Sequence, residues 1–143
     1  MGITLPENGQ EWIDEWKELL NESERYTEAG EGWGVDFDGS FLFDIQPDGT
    51  YDGDPLQFYI ELEDGTCHEA TEIDDEDDVD WGFAYRGPYE NWKGLIQGDI
   101  GAIDGLMSGK FELDGDMQKV LQYSDAATVM TENAAEIDTE FQY

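Results

Sequence analysis

The stretch that most constrains the fold of this chain runs from Gly109 to Tyr123, where the spacing of apolar residues changes from that of a strand to that of a helix. Charged and apolar residues alternate over residues 110–114, which is the two-residue period of a short strand with one polar face. Gly115 can turn the backbone without steric cost, and Asp116 can cap a new helix. Residues 117–121 then place apolar side chains at helical spacing. The segment therefore predicts a strand that leads directly into a helix, whose apolar side must fold back over a sheet.

Four earlier runs have the alternation of strands, and they span residues 40–46, 56–62, 66–73 and 79–86. Between the second and the third run, Asp64-Gly65 is a strong signal for a two-residue hairpin turn. The sequence thus predicts four strands before the closing strand at residues 110–114.

Apolar residues at spacings of one, three and four predict an amphipathic first helix that begins at Pro6 and ends near the glycines of residues 30–34. Similar spacing predicts two helices between the fourth and fifth strands and two more after residue 116. This order predicts an α+β fold, with a five-stranded, mostly antiparallel sheet covered by helices. We expect one domain over residues 1–143, with loose ends at residues 1–8 and 138–143.

The chain carries 37 Asp and Glu residues against 6 Lys and Arg, which gives a formal net charge of -31. So few cations disfavour direct binding to nucleic acid or to an anionic membrane. Self-repulsion of this size is screened at molar salt, where the Debye length falls to about 3 Å. The charge therefore favours adaptation to a salt-rich cytoplasm, as in a halophile, and an acidic protein-interaction module that mimics nucleic acid is the alternative.

The residue types that usually carry catalysis are sparse. Cys67 is the only cysteine and His68 the only histidine, and neighbours on a strand point to opposite faces, so the two cannot act as nucleophile and base. No phosphate-binding loop or zinc-ligand spacing occurs, and the acidic run at residues 74–80 is typical of a solvated connection. We expect no cofactor and no metal, and a small-molecule enzyme with a buried carboxylate stays open as an alternative.

No apolar run approaches the ~20 residues of a membrane-spanning helix, and the first residues lack the positive region and apolar core of a leader. We therefore expect a cytoplasmic protein with no stable membrane insertion.

Three stretches together resemble the sterol-carrier-protein family (type two). Gly109–Asp116 resembles the family's closing strand and the turn into its last helices. Tyr85–Gly94 resembles its strand that ends in Gly before a helix with a central Trp, and Leu95–Lys110 is similar to the small stand-alone archaeal members. The order of elements agrees from about Trp12 to Ile137.

The resemblance implies non-catalytic binding or transfer of a lipid in a hydrophobic tunnel between the sheet and the C-terminal helices. The expected ligand is a fatty-acyl chain, a phospholipid, an isoprenoid lipid or another apolar small molecule, and any protein partner is unknown. Matching by motif gives ten candidate tunnel residues, which are Trp81, Phe83, Trp92, Ile96, Leu106, Met107, Phe111, Met117, Leu121 and Met130.

Overall fold

The computed structural model describes residues 2–5 and 7–142. Strands and helices follow one another in the order β1, α1, α2, β2, β3, β4, β5, α3, α4, β6, α5, α6, β7. Their bounds in that order are Ile3–Leu5, Gly9–Glu22, Glu24–Ala29, Phe41–Gln46, Leu56–Glu63, Thr66–Ile73, Phe83–Pro88, Tyr89–Ile96, Ala102–Met107, Glu112–Asp114, Met117–Gln122, Ser124–Ala135 and Thr139–Phe141.

The main sheet has five strands in the order β4-β3-β2-β5-β6. Its neighbours pair antiparallel, except that β2 and β5, at the centre, run parallel. Two parallel strands need a crossover between them, and here the β3–β4 hairpin and the acidic segment that follows it provide it. The α+β fold with a mostly antiparallel five-stranded sheet is confirmed.

The turn residues behave as their chemistry requires. Gly115 has φ of +132°, and the Asp116 side chain accepts a hydrogen bond of 3.0 Å from the backbone N–H of Gln118, which caps α5. Asp64 and Gly65 both have positive φ, as the tight turn between β3 and β4 requires.

The first helix is shorter than the periodicity predicts, because Ser23 divides it into α1 and α2. The Ser23 backbone is extended, and its hydroxyl accepts a hydrogen bond from the N–H of Tyr26, which starts α2. The start expected at Pro6 lies outside the described residues.

Two expectations at the edges of elements need correction. The fourth predicted strand is β5, which begins at Phe83, so Trp81 precedes it. Gly82 packs so closely against the backbone of Asp38 that a Cβ on Gly82 would clash with the Asp38 carbonyl oxygen. The terminal segments, which we expected to be loose, pair instead: Ile3–Leu5 and Thr139–Phe141 form a two-stranded parallel ladder.

The central strand β2 is buried on both faces of the sheet. On one face, Phe41 and Phe43 turn towards the helices together with Phe83 and Tyr85 of β5, their partners across the ladder. On the other face, Leu42 and Asp44 are also buried. The acidic segment after β4 lies over this second face.

Arg86 of β5 holds that segment in place. Its guanidinium donates to Asp44 (2.9 Å), to Glu76 (2.8 Å) and to Asp114 of β6 (2.8 Å), and it lies 5.6 Å from the ring of Trp81. Asp44 also accepts from the side-chain amide of Gln57 at 3.2 Å. The hydrogen bond to Glu76 raises the pKa of Arg86 above its ordinary value, although burial alone would lower it. The hydrogen bonds to Asp114 and Asp44 raise it further.

We predict that Arg86→Gln lowers the free energy of unfolding by about 3–5 kcal/mol, because it leaves the carboxylate of Asp44 buried without a cation. Urea denaturation in molar KCl measures the change.

The matched control is Arg25→Gln, which removes an exposed cation paired with Glu132 at 2.7 Å. That pair is exposed to solvent, so its loss should cost less than about 1 kcal/mol. Equal losses from the two substitutions would contradict a structural role for the Arg86 cluster.

Candidate functional site

An apolar cavity lies between the aromatic face of the sheet and the helices. Phe41 and Phe43 of β2 and Tyr85 of β5 form its floor. Trp92 stands at one side, with its ring 5.5 Å from those of both Phe43 and Tyr85. Helices α1, α3, α4, α5 and α6 supply the rest of the wall, which comprises Trp16, Leu95, Ala102, Ile103, Leu106, Val120, Ala127, Met130 and Thr131.

The cavity has a volume of about 50 Å³. The wall that faces it is apolar, so the space favours hydrocarbon over water. Five wall residues are only half-buried: Phe41 of β2, Ala102 and Ile103 of α4, and Ala127 and Thr131 of α6. The cavity therefore meets solvent between α4 and α6.

A second apolar cavity of about 30 Å³ lies beside the first, towards α2 and the segment around Trp33. The two cavities share four wall residues, which are Phe41, Val120, Ala127 and Met130. A rearrangement of these side chains would join the two spaces into one channel along β2.

The polar atoms of the aromatic wall residues are engaged with backbone carbonyls. The Tyr85 hydroxyl donates to the carbonyl of Ala102 at 2.7 Å, Trp92 Nε1 to that of Asp44 at 3.0 Å, and Trp16 Nε1 to that of Met130 at 3.1 Å. Burial raises the pKa of Tyr85 above its ordinary value. These hydrogen bonds fix the orientation of the rings and connect β5 to α4 and α1 to α6. Because the polar atoms point towards backbone carbonyls, the carbon surface of the rings faces the cavity.

The structure brings three of the ten sequence-based candidates into the wall: Trp92, Leu106 and Met130. Phe83, Ile96 and Phe111 are buried in the surrounding core but do not line the cavity. Phe111 packs behind Tyr85 and Trp92, with ring centroids 4.8 Å and 5.3 Å away.

The remaining four candidates lie away from the cavity wall. Trp81 precedes β5 and packs on Arg86, on the face of the sheet away from the cavity. Met107 is 65% exposed and Leu121 is 37% exposed, because each lies on the outer side of its short helix. Met117 is half-buried at the start of α5 and is not part of the wall.

Sequence reasoning missed most of the wall. Trp16, Phe41, Phe43 and Tyr85 lie on the apolar faces that periodicity identified, but nothing in the pattern separates a cavity wall from a core. The sequence does not mark Ala102, Ala127 and Thr131 as wall residues, because a small side chain lines a cavity only when the residues opposite it are too far away to contact it.

Other chemistry is sparse around the cavity. Its wall contains no carboxylate, and Asp44, the one buried carboxylate among residues 2–5 and 7–142, lies on the opposite face of the sheet against Arg86. Cys67 is buried in the core, where burial raises its thiol pKa to about 12, while His68 is exposed and lies 3.4 Å from Glu63.

The described part of the chain holds no group of three or more His, Cys, Asp or Glu side chains that could bind a metal ion. Within the same residues, every helix is too short or too polar to cross a membrane.

Comparison with known proteins gives one family. The profile of the SCP-2 sterol transfer family matches residues 20–128. No curated protein matches the chain.

Solved structures share the fold over most of their length. A crystal structure of sterol carrier protein 2 superposes with a TM-score of 0.79 at 25% identity, covering 90% of this chain and 96% of that one. A conserved hypothetical protein from Thermus thermophilus, named as a possible sterol carrier protein, gives 0.79 at 24% identity, over 91% and 88%. A palmitated SCP2L2 from Aedes aegypti gives 0.50 at 15%, over 80% and 93%.

We predict that Tyr85→Phe loosens α4 at the cavity mouth, because it removes the hydroxyl that donates to Ala102. The free energy of unfolding should fall by about 1 kcal/mol, and the amides of α4 should exchange with solvent faster in the variant than in the native chain, with a smaller change in α3.

The raised pKa of Tyr85 adds a second readout. The native hydroxyl stays protonated at pH 10, so protection of α4 in the native chain should persist there. Equal exchange in α4 of both chains would contradict this role of the hydroxyl.

Proposed function

Because this chain belongs to the SCP-2 sterol transfer family, we propose that it binds one lipid molecule without catalysing a reaction on it and transfers it by reversible burial. The observation that carries the proposal is the apolar cavity between the aromatic face of the sheet and helices α4–α6. Burial there removes hydrocarbon from water, at roughly 0.8 kcal/mol for each CH₂ group.

A lipid chain needs more room than the 50 Å³ of the cavity, so binding moves wall side chains. Val120 of α5 and Met130 of α6 line both the first cavity and the second. An unbranched thioether side chain adapts to an irregular ligand at little cost, which makes Met130 the residue that we expect to shift most. The bound chain then runs along β2 through both spaces.

We propose a fatty-acyl chain as the ligand, carried as a free fatty acid or on a phospholipid, with an isoprenoid chain next. The narrow path between aromatic rings and helices suits a flexible chain better than a rigid ring system. The palmitated insect protein with the same fold makes palmitate a reasonable first probe.

A carrier needs no reactive group, and this wall supplies none, since carbon surface faces the cavity and the aromatic polar atoms bond to backbone carbonyls. We propose that the protein acts in the cytoplasm, with lipid as its partner.

Organic extraction of protein purified in molar KCl, followed by mass spectrometry, tests the proposed function directly. A stoichiometric acyl or isoprenoid species supports it and identifies the ligand class. An empty extract together with no uptake of fluorescent fatty acid would contradict it.

We predict that Ala127→Phe lowers the affinity for a fluorescent fatty acid by roughly tenfold, because Ala127 lines both cavities and a ring there occupies the channel. Fluorescence titration in molar KCl measures the affinity.

Thr128→Phe is the matched control, since Thr128 is the next residue of α6 and is exposed. It adds the same ring to the same helix outside the cavity and should leave the affinity unchanged. Equal affinities of the two variants would place the ligand elsewhere.

We also propose that the net charge of -31 adapts the protein to salt. The free energy of unfolding in urea should then rise as KCl increases from dilute to molar, because screening weakens repulsion among exposed carboxylates. A stability independent of KCl would contradict this and favour an acidic interaction module.

A further inference from the structure

We propose that Lys119 of α5 binds the carboxylate of a free fatty acid at the end of the second cavity. The ammonium of Lys119 and the Phe37 ring against which it lies form what we name the headgroup site. The inference rests on the proposed function, because it assigns the polar end of the ligand whose chain the two cavities hold.

The first observation is the position of the Lys119 ammonium. Its Nζ lies 4.4 Å from the centroid of the Phe37 ring. That ring meets Trp33 edge-on, with centroids 5.0 Å apart, and Trp33 lines the second cavity. Lys119 also directly precedes Val120, which lines both cavities. The cation is therefore separated from the cavity wall by a single aromatic ring.

The second observation is that the second cavity meets solvent on this side. Its wall residues Tyr123 and Ala127 are half-buried, and so are Lys119 and Phe37. Tyr123 lies one helical turn after Lys119, with its backbone N–H 3.2 Å from the Lys119 carbonyl, and its ring meets Trp33 edge-on at 5.2 Å. A ligand whose chain fills the cavity can therefore keep its polar end in solvent, beside Lys119.

The third observation is that the charge of Lys119 is available. In the described part of the chain, Lys119 forms no ion pair with a carboxylate, although the sequence holds 37 acidic residues. Nearby carboxylates have other partners: Asp116 caps α5, and Asp64 accepts from the N–H of Gly32 at 2.9 Å. A half-buried ammonium has lost part of its hydration, and a ligand carboxylate would replace it.

Two other cations lie near the cavities or the sheet, and both are engaged. Arg25 precedes Tyr26, which lines the second cavity, but Arg25 pairs with Glu132 at 2.7 Å. Arg86 binds three carboxylates on the opposite face of the sheet. Of these three cations, Lys119 is the one that a ligand can bind without displacing a carboxylate of the chain.

A carboxylate at Lys119 fixes the direction of the ligand. The acyl chain starts beside Trp33, passes the wall residues that the two cavities share, and ends near Trp92 in the first cavity. The apolar wall binds any chain that fits, whereas one charged group at its end selects the headgroup. Ammonium and carboxylate in contact are about 2.8 Å apart, within the Debye length of about 3 Å at molar salt, so screening weakens the pair only in part.

The test compares a fluorescent fatty acid with the methyl ester of the same probe, titrated at about pH 8 in molar KCl. The acid is ionised at this pH and the ester carries no charge. Lys119→Met removes the cation and keeps an unbranched side chain against the Phe37 ring. Its affinity for the acid should fall about tenfold relative to the native chain, while its affinity for the ester should stay unchanged.

Lys110→Met is the matched control, since Lys110 is an exposed lysine outside both cavity walls. It removes the same charge and should leave the affinities for both probes unchanged. Lys119→Arg keeps a cation at the headgroup site and should retain most of the affinity for the acid, which separates loss of charge from loss of packing.

The outcomes separate the two proposals. If the native chain binds neither probe, the proposed function fails. If it binds both, but Lys119→Met weakens acid and ester equally, Lys119 only packs against Phe37, and the headgroup site is overturned while the proposed function stands. Equal affinities of Lys119→Met and Lys110→Met for the acid would also overturn it.

Discussion

The structure depends on the burial of β2 on both faces of the sheet. Towards the helices, Phe41 and Phe43 stack with ring centroids 5.6 Å apart and form the floor of the cavity. On the other face, a carboxylate, Asp44, is buried, and a paired cation offsets the loss of its hydration there. Arg86 supplies that cation and at the same time binds Glu76 and Asp114, which draws the acidic segment and the edge strand β6 against the sheet.

The cavity exists because large rings on the sheet face small side chains on the helices. Rings on β5 and α3 are held in fixed positions by hydrogen bonds to backbone carbonyls, so they cannot collapse into the space. Ala102 and Ala127 stand opposite and leave it unfilled. Met130 lines the cavity with a flexible side chain, and a lipid can displace such a side chain more easily than an aromatic ring.

Charge and apolar exposure divide the surface in two. Acidic residues from Glu11 in α1 to Glu132 in α6 keep most faces strongly negative, whereas the segment Lys93–Lys110, which contains α4, is neutral and exposes Met107.

The sequence by itself determined the fold class, the turns at Asp64-Gly65 and Gly115-Asp116, the family resemblance and the acidity, because periodicity, turn chemistry and composition are local properties. Only the tertiary structure decided which apolar residues face the cavity. Met107 and Leu121 fit the helical stripe but lie outside, Trp81 packs on Arg86, and Ala127 lines the space without any signal. A residue lines the cavity only if the residues opposite it leave space, and those residues are far apart in the chain.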